Sequence, residues 1–104
     1  MPNTLTQSKA RNVSTVTTVY TVPASTTATL TGLLVSNVDA SATVTVDVSV
    51  GDGSEYHIVK NLPILVGSSI ELVEGKIIML TTETLKVTST GGNVDVIASY
   101  LEQS

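Results

Sequence analysis

The chain has 104 residues, no cysteine, and five basic against nine acidic residues, for a formal net charge of −4. That length fits one domain able to bury a core, and the lack of cysteine excludes disulfides and thiolate metal sites. The basic residues Lys9, Arg11, Lys60, Lys76 and Lys86 are too few and too scattered to track a phosphate backbone, and no apolar run approaches a bilayer span, so neither nucleic acid nor a membrane is expected as a partner.

Met1 to Asn12 is polar and without periodicity. It has no apolar segment of the kind a signal peptide carries, so synthesis in the cytoplasm is expected. Residues 1–12 are read as a flexible N-terminal arm, and residues 13–104 as a single β-sandwich domain. The arm holds Lys9 and Arg11, which leaves three basic residues against nine acidic ones in the remainder, a formal charge of −6. A mildly basic arm on an acidic body suits docking onto another subunit.

The chain as a whole has 16 Val, 17 Thr and 12 Ser, with only three Tyr and neither Phe nor Trp, a mix that favours extended structure over helix. Val13 to Val22 alternates loosely, with Val16, Thr18, Tyr20 and Val22 on one face, and Pro23 ends it. Thr27 to Val38 is the next strand, with Gly32 marking a bulge or a close backbone approach. Asn37-Val38-Asp39-Ala40-Ser41 is turn chemistry, because these side chains bond their own backbone. Ala42 to Val50 alternates without a break, Val44, Val46, Val48 and Val50 one way and Thr43, Thr45, Asp47 and Ser49 the other, the pattern of a half-buried strand. With Leu33 to Val35 before it, this reads as a central β-hairpin.

Gly51-Asp52-Gly53 is a tight turn. Ser54 to Leu62 follows, with Tyr56, Ile58 and Lys60 on one side and Pro63 near an edge or a sheet switch. Ile64 to Val66 and Ile70 to Val73 read as short strands, and Glu74-Gly75 as a turn. Lys76 to Leu80 is apolar on both faces. Glu83 to Thr90 alternates again, with Leu85 and Val87 inward. Thr90-Gly91-Gly92-Asn93 signals a hairpin, and Val94 to Glu102 closes the chain with Val94, Val96, Ala98 and Tyr100 on one face. About eight strands at this spacing indicate an all-β fold, an antiparallel β-sandwich of jelly-roll or Ig-like type.

Chemistry-bearing residues do not assemble into a motif. His57 has Glu55 as its only local partner, and a general base needs more than that. Asp39, Asp52 and Asp95 sit in or near turns, without the close oxygen-ligand spacing that calcium demands. No cofactor, metal or catalytic residue is assigned, and no enzymatic activity is expected. Contact with other chains is the better reading. Ile97 and Leu101 oppose Val96 and Tyr100, Leu33 and Val35 oppose Leu34, and Ile77 to Leu80 is apolar throughout, so these strands are either central to an irregular core or covered by a partner. Lys9, Arg11, Leu33, Val35, Ile78, Leu80, Ile97 and Leu101 are the candidate interface residues, with self-association, as a homotrimer, expected.

The run Val19-Tyr20-Thr21-Val22-Pro23-Ala24, followed by a Thr/Ala-rich strand and by the segment from Val35 to Val48, resembles small β-sandwich structural proteins of tailed bacteriophages. Leu62-Pro63-Ile64, Ile70-Glu71-Leu72, Leu85-Lys86-Val87-Thr88 and Val94-Asp95-Val96 fit in the same order, so the resemblance covers Thr18 to Glu102. It departs at Lys60 to Val66, where apolar residues replace a more polar loop. The resemblance implies a virion component made in the host cytoplasm. The leading form is a capsid cement or decoration protein that binds and stabilises the head through the major capsid protein or another virion subunit. The alternative is a tail, neck or fibre-associated module recognising a receptor or carbohydrate.

Overall fold

The structure is a computed structural model that describes residues 3–39, 41–73 and 75–103. Ala40 and Glu74, expected in turns, and Met1 and Pro2 of the expected arm lie outside the described residues. Among the described residues nine strands run β1 (Asn3–Val13), β2 (Thr17–Thr21), β3 (Thr27–Asn37), β4 (Val44–Gly51), β5 (Glu55–Ile64), β6 (Ser69–Glu71), β7 (Ile77–Met79), β8 (Thr84–Thr90) and β9 (Val94–Gln103). They form two antiparallel sheets. One has the order β1-β9-β3-β6, with β7 also on β3; the other has the order β2-β8-β4-β5. Counting β6 and β7 as one interrupted strand, this is the strand order of a jelly roll, which decides between the two sandwich types expected.

The core lies between the sheets. Val44, Val46, Val48, Leu85, Val87, Val94 and Val96 are all fully buried, as their alternation requires, and Leu30, Leu33, Val35 and Met79 pack with them. Val50, on the same face of β4, is only partly buried, and it is Ser49 that is covered.

Bulges reset the alternation. On β3 the pairing with β9 shifts between Leu30 and Gly32. Ala28 and Leu30 point inward before it, and Leu33, Val35 and Asn37 after it. The expected bulge is therefore present, and it is held by a side chain. Glu71 Oε2 accepts from the Leu33 N–H at 2.6 Å and the Val73 N–H at 3.1 Å. Its Oε1 lies 3.4 Å from where a Cβ at Gly32 would sit. A second shift, between Thr18 and Tyr20, puts Tyr20 and Val22 inside and leaves Val16 exposed, so the single face expected for 16, 18, 20 and 22 is not formed.

Three expectations about pairing are corrected. Residues 3–12 are not a free arm but most of β1, an edge strand antiparallel to β9. Thr6, Ser8 and Ala10 pair with the inward-facing Tyr100, Ala98 and Val96. These small residues alternate with larger ones but carry little hydrophobic signal, because the strand is held by its ladder. Leu33 to Val50 is not a hairpin: β3 and β4 belong to different sheets. The same holds for β8 and β9 across Gly91-Gly92. Both connections cross the sandwich at one end and pack on each other. Val38 N–H donates to the Asn93 carbonyl at 3.1 Å, and a Cβ at Gly92 would lie 2.8 Å from Asp39 and Val44. The expected tight turn at 51–53 does join a real hairpin, β4–β5. Pro63 lies within β5, an edge strand where its missing N–H costs least. Leu65 and Val66 follow β5 as exposed loop residues, not as a strand.

Candidate interaction surfaces

The turn after β3 shows how polar residues are used here. Asn37 is buried. Its Nδ2 donates to the Ala42 and Ile64 carbonyls, each at 2.9 Å, and its Oδ1 accepts from the Asp39 N–H at 2.9 Å. Asp39 Oδ2 in turn accepts from the Ser41 and Ala42 N–H groups. Asp52 Oδ2 accepts from the Thr82 hydroxyl at 2.7 Å, and Asp95 Oδ1 from the Asn12 N–H at 2.9 Å. All three aspartates are thus engaged apart from one another, Asp39 and Asp52 in loops and Asp95 at the start of β9. Glu55 turns to the Ser49 hydroxyl at 3.3 Å and to Lys86 Nζ at 3.8 Å. His57 is exposed on β5. Among the described residues no three His, Cys, Asp or Glu side chains converge.

Tyr20 and Tyr100 stack in the core with ring centroids 3.9 Å apart. The Tyr20 hydroxyl donates to Glu102 Oε2 at 2.5 Å, and the Tyr100 and Ser8 hydroxyls share a hydrogen bond at 2.6 Å. Burial pushes the Tyr20 phenol well above its usual range, and the Glu102 carboxylate adds to this through the hydrogen bond and its charge. The cluster ties β1 and β2 to β9. It leaves Tyr56 as the one exposed tyrosine.

The two outer faces differ in kind. Across β2-β8-β4-β5 the laterally paired residues Thr18, Lys86, Ser49 and His57 form a polar row. Across β1-β9-β3-β7 the corresponding row is Leu5, Leu101, Thr29 and Ile78. A second row on that face, across β1-β9-β3-β6, reads Lys9, Ile97, Leu34 and Glu71. Leu5 is 75% exposed, Ile78 68%, Leu80 58% and Ile97 39%. Isolated exposed apolar residues are ordinary; here Leu5, Ile78 and Ile97 share one sheet face.

Of the candidate interface residues, Lys9, Ile78, Ile97 and Leu101 are therefore brought together on one face, with Leu80 two residues beyond Ile78. Arg11 lies at the rim, where Lys9, Ala10, Arg11, Asp95, Val96 and Ile97 line a shallow depression. There the left-handed Asn12 (φ 56°) interrupts the pairing of β1 with β9. Leu33 and Val35 are a correction: both are fully buried between the sheets, because the bulge at Gly32 turns them inward, so neither reaches a surface. Leu5 and Leu34 were missed. Leu5 stood in a segment read as an arm, because its inward residues Thr6, Ser8 and Ala10 are small and give the alternation no hydrophobic contrast.

No family model matches the chain, and no curated protein sequence does. Solved structures share its fold. A chain in the structure of infectious bursal disease virus, Gx strain, superposes with a TM-score of 0.58 at 10% identity, over 96% of this chain but only 32% of that one. A chain of the acidic stable capsid of Helicobacter pylori bacteriophage KHP30 gives 0.57 at 15% identity, over 96% and 86%. A chain of the Bacillus endospore appendages described as disulfide-linked pili gives 0.51 at 14% identity, over 100% and 91%. At these identities the likeness is one of fold: this chain is an all-β jelly roll of the kind found in viral capsids and in a bacterial appendage.

Proposed function

We propose that this chain is a non-enzymatic structural component of a bacteriophage virion, a cement or decoration protein that binds the assembled head. The observation that carries the reading is the shared fold with the phage KHP30 capsid chain, which this chain matches over 86% of that chain's length. The endospore appendage chain has the same fold, but its assemblies are disulfide-linked, and no cysteine is present here to make such links. The fibre-module alternative draws less support, because sugar recognition by stacking needs exposed aromatic faces and two of the three tyrosines are used in the core. Made in the host cytoplasm, the protein adds to the major capsid protein or another head subunit. By binding only the assembled lattice, it stabilises that lattice through mass action.

The test is to add purified protein to particles that lack it and follow the temperature at which they release their genome. Binding to heads with a higher release temperature is expected. Failure to bind heads, or labelling confined to the tail, overturns the cement reading. Self-association belongs to this reading. The homotrimer expected from the sequence sets one value, three times 10.8 kDa, for the mass in solution.

A further inference from the structure

We propose that the outer face of the five-stranded sheet is the contact between two copies of this chain, related by a two-fold axis that runs along the strands. The inference stands on the face itself and not on the virion reading.

Both rows on this face can be read backwards. Rotating a copy by 180° about an axis parallel to the strands turns its face toward the first copy and reverses the order of its strands from edge to edge. The row Lys9, Ile97, Leu34, Glu71 then meets its own reverse. Lys9 faces the partner's Glu71, Ile97 faces the partner's Leu34, and each contact occurs twice. The row Leu5, Leu101, Thr29, Ile78 sets Leu5 against the partner's Ile78 at both ends. An axis across the strands would instead lay β1 over β1, bringing the Lys9 edges together and leaving Glu71 without a cation. Charge complementarity therefore selects both the occupant, a second copy, and the axis. The polar row on the opposite sheet shows no such arrangement.

Size and geometry agree. The molecule measures 47 × 25 × 21 Å, so a face bounded by the two longer dimensions has room for the about 800 Å² per partner of a standard interface. Two twisted sheets with strands nearly aligned stack at about 10 Å with interdigitating side chains. An isologous contact of this kind closes at two copies, whereas the expectation from the sequence was three.

The absence of native cysteine makes the test specific. Leu5→Cys and Ile78→Cys are prepared separately; both sites are exposed, so both variants fold. Leu5 and Ile78 are three strand spacings, about 14 Å, apart on one copy. With a short bismaleimide, an equilibrated mixture of the two variants is expected to give a two-chain product, and either variant alone several-fold less. Sedimentation of the unmodified protein is expected to show a dimer, with Lys9→Glu, which leaves the Glu71 carboxylate on the Leu33 and Val73 N–H groups, weakening it tenfold or more. A monomer mass up to about 1 mM, a trimer, or equal cross-linking by either variant alone overturns the proposal, whatever the protein does on phage heads.

Discussion

Replacing Asn37 tests whether one buried side chain holds the end of the sandwich where two connections cross. Asn37→Ala removes two donors and one acceptor whose bonds are each 2.9 Å long. The Ile64 carbonyl bond is buried, so that oxygen is left without a partner, at about 1–3 kcal/mol. The Ala42 and Asp39 groups are nearer solvent and can take water, so each loses only the net value of a hydrogen bond, about 0.5–1.5 kcal/mol. The sum is about 2–6 kcal/mol, against a total stability of about 5–15 kcal/mol for a domain of this kind. For about 100 residues that corresponds to a fall in Tm of roughly 10–30 °C. Urea unfolding should show a lower midpoint with an unchanged slope, because the same surface is exposed on unfolding. Asn37→Asp should be worse near neutral pH, since a carboxylate would face the two carbonyls that the amide now serves. Its folded pKa would rise above the unfolded value of about 3.9. The penalty should therefore be full at neutral pH and shrink as pH falls through that raised value. A melting temperature for Asn37→Ala within about 2 °C of the parent would refute the reasoning, as would an Asn37→Asp penalty independent of pH.

Other outcomes follow from the core, the hairpin and the tyrosine stack. Val46→Asp places an unpaired charge at a fully buried site, a cost of several kcal/mol that should abolish the cooperative melting transition. Gly51→Ala should destabilise far more than Gly53→Ala. A Cβ at Gly51 would lie 2.0 Å from the Ser54 carbonyl oxygen, whereas Gly53 faces open space and carries only the cost of a positive φ, about 1 kcal/mol; chemical denaturation of the two variants gives the ranking. Tyr20→Phe keeps the ring stack but loses the bond to Glu102, and should cost about 1–2 kcal/mol. Because the Tyr20 phenol is raised in the folded state, its contribution is complete below the unfolded value of about 10 and is lost as pH rises above it. Alkaline unfolding followed by circular dichroism should thus be less steep in Tyr20→Phe than in the parent.

Period-two alternation was enough to place the strands and their inner faces at Val44 to Val48, Leu85 to Val87 and Val94 to Val96. It works because a sheet with one buried face permits only one phase. Turn chemistry located the hairpin at Gly51 to Gly53 and the side-chain-bonded turn after Asn37. Alternation says which way a residue points relative to its neighbours along the chain; it does not say which strand lies alongside. Hence Asn37 to Ser41 and Thr90 to Asn93 look like hairpin turns in sequence, yet both cross between sheets, and only the packing of Gly92 on Asp39 and Val44 shows why a glycine is needed there. A bulge inserts one residue and inverts the phase. This is why Leu33 and Val35 belong to the core and Val16 to the surface, and nothing in the local sequence fixes the sign of that inversion beyond Gly32 itself. β1 is legible only through its partner, since its inward residues are small and its stability comes from the ladder with β9. The shared face follows for the same reason: Leu5, Ile78 and Ile97 are far apart in the chain, and it is lateral register, a long-range property, that sets them side by side.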